Sequence, residues 1–346
     1  DQPAFLTRAE DKTFRSATFR EIYDIGVHLA TALIDLGVNA RDHVAILADN
    51  RLEWILADYA TILCGAVDVP RGTDVTDGDI RHILPHSDAK IVFVENAATL
   101  AKVTRNLNHL TCITKIIVMD TQGVELSDQI HCMKDLTLRG EQLRTRGDRR
   151  VEERMAGIKS DDLFTIIYTS GTTGTPRGVM LTHANMLSQL ADIPIKIGPG
   201  DRFLSILPVW HSFERVFEMG TIARGAAQYY SSVRNIREDM RLVRPTFMAS
   251  APRLWESVYQ SIQSRIQGGP GIARVLFRAA YFCAQRVQRG MRFLRGNELD
   301  LSGRNPVWSF CLAWIHIPII VLFFVPHFIL DRLVLRKIRE ATGGKL

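Results

Sequence analysis

The sequence predicts an α/β fold of doubly wound βαβ sheets followed by a hydrophobic helical region, and three observations carry that expectation. Short apolar runs at 44–48, 66–69, 91–94 and 116–119 are separated by helical stretches such as 50–64, the rhythm of βα units and a mainly parallel sheet. A further apolar run, 163–168, leads straight into a loop dense in glycine and hydroxyl side chains. Near the C-terminal end, 306–330 holds no Asp, Glu, Lys or Arg.

Taken in order, the elements justify themselves locally. Thr18 and Glu21 form a capping box for a helix over 19–36, whose stripe is Ile22, Ile25, Leu29, Leu33 and Leu36. Gly37 ends it. Residues 120–159 are polar, rich in Arg and Glu and weakly periodic, so a surface excursion is expected there. Beyond the loop, Thr182 is placed to cap a helix over 185–191, and strands are expected at 204–207 and 246–250. The 346 residues suggest two domains or one large one. The expected organisation is a first βα half over 1–160, a loop-bearing half over 161–260 and a basic, apolar helical region over 261–346.

Five cysteines, an odd number with no C-x-x-C spacing, argue against a disulfide framework or a zinc site and for a reduced compartment. The net charge of +6 suits nucleic acid, an anionic membrane surface or anionic ligands. Its distribution decides among them. Arginines at 274, 278, 286, 289, 292 and 295 alternate with aliphatic and aromatic residues, a pattern that suits lipid, and no nucleic-acid-binding module is recognisable. The apolar run 306–330 is long enough to span a bilayer. Pro318 and Pro326, with His316 and His327, favour a broken helix. A monotopic or re-entrant insert at the cytoplasmic face of a membrane is therefore expected, with a transmembrane span and a core or oligomer helix as alternatives. Oligomeric state is not indicated.

The loop is Tyr168-Thr169-Ser170-Gly171-Thr172-Thr173-Gly174-Thr175-Pro176-Arg177-Gly178-Val179. Glycines allow close backbone approach, main-chain N–H groups and hydroxyls converge on an anion, and Arg177 can fork onto phosphate oxygens. The Walker pattern fails, because proline and arginine stand at 176 and 177 where it needs glycine and lysine. The G-x-G-x-x-G pattern fails because the glycines fall at 171, 174 and 178.

The stretch resembles the T-S-G-[ST]-T-G-x-P-K-G signature of the AMP-forming adenylating enzymes, with Arg177 in place of lysine. The resemblance implies the large N-terminal domain of the adenylate-forming fold. It also implies ATP held by Thr169, Ser170, Gly171, Thr172, Thr173, Gly174, Thr175 and Gly178, Mg²⁺ at Thr172, and Arg177 as a catalytic cation. In Pro208-Val209-Trp210-His211 the family's Pro-x-x-His implies His211 near the substrate carboxylate and α-phosphate, with Trp210 lining the acyl channel. The segment 244–256 resembles the long-chain fatty acid branch, implying substrate contact at Ser250 and Ala251. The stretch 65–74, Gly-Ala-Val-Asp-Val-Pro-Arg-Gly-Thr-Asp, looks like the cyanobacterial and plastid acyl-acyl-carrier-protein synthetases. Its acceptor would be the phosphopantetheine thiol of acyl carrier protein, with coenzyme A as the alternative. Glu214 and Arg215 read as a local ion pair or helix start, outside the catalytic set. The family's adenine and ribose motifs and C-terminal lysine domain are not found, so the chain is expected to be an N-terminal part of a longer enzyme. A lipid- or nucleotide-binding fragment without turnover, or a ligase for another carboxylate, stays open.

Overall fold

The computed structural model describes residues 2–9, 13–169, 174–193, 195–297 and 305–345, with 306–310 described by backbone alone. Two compact units divide it, 1–233 with 247–249 and 234–246 with 250–346.

The first unit opens with β1 (Pro3–Arg8), β2 (Phe14–Thr18) and helix α1 (Phe19–Asp35). Three βα steps and a fourth strand follow: β3 (His43–Leu47) with α2 (Leu52–Leu63), β4 (Val67–Arg71) with α3 (Asp77–His86), β5 (Ala89–Val94) with α4 (Ala97–Thr104), then β6 (Lys115–Val118). Next come β7 (Ile130–Cys132), α5 (Met133–Thr145), α6 (Arg150–Gly157), β8 (Leu163–Thr169), β9 (Arg177–Thr182) and α7 (His183–Ala191). The unit closes with β10 (Arg202–Ser205), α8 (Ser212–Arg224) and β11 (Ala227–Tyr230).

The large sheet has seven strands in the order β7-β6-β5-β3-β4-β8-β9, parallel except for β9. Alternate residues of β3 feed opposite faces: Val44 and Ile46 join a core with Leu29, Leu33, Trp54, Met133 and Val151. Ala45 and Leu47 join the other core, with Ile80, Leu84, Leu100 and Val103. Helices on both faces make the sheet doubly wound, as the alternation predicts. Strand order reverses at β3, which pairs with β4 on one side and β5 on the other. That switch point opens a crevice at the carboxyl ends of the strands, where α/β sheets place ligands. The smaller sheet, β10-β11-β1-β2, lies in the same unit.

The two capping boxes read from sequence are present, Thr18 with Glu21 on α1 and Thr182 with Asn185 on α7. Four expectations are corrected. Residues 177–182, read as the end of the loop and its sequel, form β9, antiparallel to β8 with Thr169 opposite Arg177. Residues 120–159, expected to be a weakly periodic surface excursion, hold β7, α5 and α6. Their polar surface hides a narrow contact stripe of Met133, Leu136 and Gly140, and Gly140 is so close to α1 that a Cβ would lie 1.7 Å from the His28 carbonyl oxygen. At 246–250 there is no strand, only a bridge between Phe247 and Phe203 with their rings stacked at 5.1 Å.

The second unit is helical: α9 (Ile236–Val243), α10 (Pro252–Gln267), α11 (Gly271–Leu294), α12 (Pro306–Leu330) and α13 (Arg336–Ala341). The fourth correction falls here, because α12 is not broken and carries Pro318 and Pro326 inside it. Packing along α11 supports the helix past its prolines. Ile320 lies where a Cβ on Gly290 would meet its Cγ1 at 2.7 Å, and Phe293 and Phe282 meet His316 and Phe323 with ring centroids 4.6 and 5.6 Å apart. A five-residue π-helical turn, Asp331–Leu335, joins α12 to α13.

Candidate active site

The crevice is built from three strand ends. Leaving β8, the chain turns through the loop and returns as β9, so Thr169, Gly174, Thr175, Arg177 and Gly178 belong to one hairpin. Ser170, Gly171, Thr172 and Thr173, and with them the Mg²⁺ position expected at Thr172, lie outside the described residues. Gly174 has φ +84 with nothing within 4 Å of a Cβ position, a left-handed turn that glycine adopts without strain. Gly178 is needed for a different reason: a Cβ there would lie 2.8 Å from Ile166 and 3.2 Å from the Tyr168 ring. Thr169, Gly174, Thr175 and Arg177 are exposed to solvent.

Helix α3 holds the base of this hairpin. His82 Nε2 meets the Pro176 carbonyl oxygen at 2.9 Å, and His86 Nδ1 meets the Tyr168 hydroxyl at 2.6 Å. Burial raises the Tyr168 pKa above its ordinary value, which keeps that hydroxyl a neutral hydrogen-bonding group.

The Pro-x-x-His segment is tied to the switch point by Asn50, just past β3. Its amide donates to the Leu207 carbonyl at 2.7 Å, and its Oδ1 accepts from the Val209 N–H at 3.0 Å. Trp210 then packs across the end of β4. A Cβ on Gly72 would sit 2.6 Å from its indole Nε1, and the Arg71 guanidinium lies 5.3 Å from its ring centroid, a cation–π contact. Arg71 also donates to the Tyr168 carbonyl at 3.4 Å, so one side chain touches both the tryptophan and the strand that leads into the loop. On the same rim, Asp49 accepts from the Thr73 hydroxyl at 2.6 Å and its N–H at 3.1 Å.

His211 is the N-cap of α8. Its Nδ1 accepts the Phe213 N–H at 3.4 Å, and a neutral ring that accepts at Nδ1 carries its proton on Nε2. The exposed His211 thus offers a donor at a helix N-terminus, where the free N–H groups and the dipole favour an anion. Beside it, between α7 and α8, a cavity of about 680 Å³ is lined by Met186, Gln189, Ile193, Phe213, Val216 and Phe217. Ser250 and Ala251 belong to the second unit; there the Ser250 hydroxyl accepts from the Trp255 indole at 2.6 Å, and Ala251 is the N-cap of α10.

Beneath the crevice the charges are buried. Arg215 has no solvent exposure. It donates to both Asp68 oxygens at 2.8 and 2.9 Å, to the Thr165 hydroxyl at 2.8 Å and to Asp58, with the Phe164 ring 4.5 Å away. Burial pushes the Asp58 and Asp68 carboxyls upward against the pull of Arg215. One turn along α8, Glu218 accepts from Tyr230 and Gln228, and burial raises its pKa from 4.5 to about 7. Glu214, also buried, is pushed well above the usual carboxylate range by desolvation. Glu214 and Arg215 are therefore not an ion pair with each other.

The family described as AMP-binding enzyme matches residues 1–296. The chain belongs to that family. Among its relatives is a probable chloroplastic acyl-activating enzyme 16 of Arabidopsis thaliana, 28% identical over 338 residues, which cover 94% of this chain and 47% of the relative. A chloroplastic long-chain-fatty-acid–[acyl-carrier-protein] ligase, AEE15, of the same plant is 28% identical over 341 residues, with 94% and 46% covered. The long-chain-fatty-acid–CoA ligase FadD15 of Mycobacterium tuberculosis is 28% identical over 322 residues, with 91% and 48% covered. The chain thus spans about half the length of these relatives. Among solved structures, the anthranilate CoA ligase AuaEII with anthranoyl-AMP superposes with a TM-score of 0.65 at 19% identity, covering 75% of this chain and 48% of that one. The N-terminal domain of FACL13 from Mycobacterium tuberculosis gives 0.60 at 22%, with 73% and 59% covered. The fold is that of the N-terminal domain of adenylate-forming enzymes.

Within this AMP-binding domain, Asn50, His82 and His86 escaped the sequence reading, and Arg71 and Gly72 entered it only inside the stretch 65–74, without a site role. Their signal was available for some: Gly72 directly follows β4 and Asn50 stands three residues past β3, the positions where ligand-facing residues of an α/β sheet fall.

Proposed function

We propose that this chain carries the phosphate-handling and carboxylate-handling part of an ATP-dependent long-chain fatty acid ligase. The observation that carries the reading is the β8–β9 hairpin of the large sheet, with Arg177 directly across from Thr169, together with Trp210, which comes from the segment after β10 of the smaller sheet and packs against Arg71 and Gly72 at the end of β4. A fatty carboxylate oxygen attacks the α-phosphorus of ATP, the bond to pyrophosphate breaks, and acyl-AMP remains. A thiolate, from the phosphopantetheine of acyl carrier protein or from coenzyme A, then attacks the carbonyl carbon and AMP leaves. Because an anion attacks a polyanion, the protein's task is charge neutralisation and positioning. Arg177 neutralises phosphate oxygens, the loop amides and the Thr169 and Thr175 hydroxyls bind them, and His211 donates from Nε2. Mg²⁺, a hard cation that takes phosphate, hydroxyl and water oxygens, would neutralise further charge, with Thr172 its candidate protein ligand.

The long-chain substrate is supported by the names of the AEE15 and FadD15 relatives and by the largely apolar cavity beside His211, where each buried methylene contributes about 0.8 kcal/mol. Trp210 is assigned to acyl contact on the same reading. The decisive test is Arg177→Ala in the full-length enzyme: acyl-adenylate formation, followed by pyrophosphate exchange, falls while fatty acid binding is kept, and near-normal exchange would remove Arg177 from the mechanism. Supplying acyl carrier protein and coenzyme A in parallel with one fatty acid identifies the acceptor.

A second reading concerns location. Helix α12 leaves Trp314, Val321, Leu322, Phe324 and Val325 between 54% and 70% exposed, and 311–341 contains a window with mean hydropathy 2.1 and no buried share. We assign α12 to a membrane surface, from which a fatty acid would partition to the site. Replacing Val321, Leu322 and Val325 by serine should abolish sedimentation with phosphatidylcholine vesicles, and unchanged sedimentation would refute the assignment.

A further inference from the structure

The second unit contains a cavity of about 450 Å³ that the ligase reading does not use. Three guanidiniums line it, Arg237 and Arg241 from α9 and Arg265 from α10. Its hydroxyls include Ser261 and Ser264, its apolar wall includes Ile338 of α13, and no Asp or Glu lines it. Arg237 donates to the Ser261 hydroxyl. The neighbouring carboxylates of the last helical turns are engaged elsewhere: Glu340 with Arg336 at 2.9 Å, and Asp331 with both terminal nitrogens of Arg339 at 2.7 and 2.6 Å.

Three like charges around one cavity repel, and an anion in their midst relieves that repulsion. Guanidinium forks and hydroxyl donors match phosphate oxygens in particular. The source of the phosphate is indicated by what leads into the pocket. The exposed, uncharged α12 runs through the π-helical turn directly into α13. Ile338 of the pocket wall comes only eight residues after Leu330, the last residue of the apolar α12.

We propose that the Arg237–Arg241–Arg265 pocket binds the phosphate of an anionic membrane lipid. The proposal rests on the membrane-surface reading of α12 and sharpens it: α12 supplies apolar insertion, and the pocket supplies recognition of the headgroup. Such a site selects an exposed phosphomonoester over a zwitterionic headgroup, since only the former leaves unmatched negative charge for three guanidiniums.

The test uses the full chain with vesicles of phosphatidylcholine alone and of phosphatidylcholine doped with phosphatidic acid, at fixed ionic strength. Binding to the neutral vesicles reports α12; the gain on adding phosphatidic acid reports the pocket. Each arginine near a charged headgroup is worth about fivefold in partition. Joint replacement of Arg237, Arg241 and Arg265 by alanine should therefore cut the phosphatidic acid gain by about a hundredfold and leave neutral binding intact. A control that removes the same charge from α11, Arg278, Arg289 and Arg292 to alanine, should cost at least tenfold less. Equal losses in the two variants would overturn the pocket in favour of diffuse charge. Inorganic phosphate that saturates the pocket at micromolar concentration and abolishes the gain would overturn the lipid as its source. The single change Arg241→Ala, at an exposed position, gives a milder variant whose fold is checked by its melting transition; a phosphatidic acid gain equal to that of the unmodified chain would also count against the pocket.

Discussion

Arg177 and Arg215 carry the same charged group into opposite surroundings. Arg177 stands exposed on the β8–β9 hairpin, with its side chain open to solvent. Arg215 is completely buried beneath the same crevice and spent on Asp58, Asp68 and Thr165. The contrast separates two tasks. An exposed guanidinium keeps its charge for a ligand at little cost to folding, whereas a buried one depends on its acceptors: among the described residues both terminal nitrogens of Arg215 are matched and only its Nε is left without a partner.

The largest expected effect tests the buried side. Arg215→Ala leaves Asp58 and Asp68 as uncompensated carboxylates in the core and should destabilise the first unit by about 3–5 kcal/mol, read as a lowered midpoint in denaturant. A midpoint like that of the unmodified chain would mean that the cluster is not holding the sheet to α8.

Arg177→Ala probes the other side. It should lower adenylate formation by about 100- to 1000-fold, the range for loss of one donor to developing charge, with the unfolding midpoint unmoved. A shifted midpoint would erase the distinction between the two arginines.

Glu218 sharpens the contrast through pH. Its pKa is raised from 4.5 to about 7 in the folded state, so the native state binds the proton more tightly than the unfolded chain does. Stability from this group is fully present below pH 4.5 and is lost as pH rises through about 7. At about 1.4 kcal/mol per pH unit the change is at most ~3 kcal/mol. Glu218→Gln, which imitates the protonated form, should flatten the stability profile over that window, and an unchanged slope would assign the titration to another group.

The smallest effect is expected at Asn50, which is half-buried and bridges the two regions. Asn50→Ala removes the bonds to Leu207 and Val209, at about 1 kcal/mol for each net bond. It should loosen the Trp210–His211 segment, raising KM for the fatty acid more than it lowers stability. An effect confined to stability would make Asn50 a packing residue alone.

Much of the fold was legible because local chemistry repeats along the chain. The capping boxes at Thr18 and Thr182, the apolar strands and the order of residues in the loop are neighbour effects, and neighbours in sequence report them. Two of the misreadings, at α5 and α12, come from contact with distant residues. Helix α5 read only as part of a weakly periodic surface excursion because its stripe includes Gly140, whose value lies in fitting against His28. Helix α12 looked broken because Pro318 and Pro326 each remove a backbone bond, a loss that packing on α11 offsets. Strand β9 was hidden by lying next to a loop rich enough in signal to absorb it.

By itself, then, the sequence determined the βα rhythm and the capping boxes at Thr18 and Thr182, since each depends on residue order over a short span. Only the tertiary structure decided that Asp58, Asp68, Thr165 and Arg215, taken from α2, β4, β8 and α8, meet in one buried cluster. It likewise placed Arg71 against both Trp210 and the strand that enters the loop. Burial and long-range pairing set the electrostatics of a charged side chain, and neither is written in its immediate neighbours.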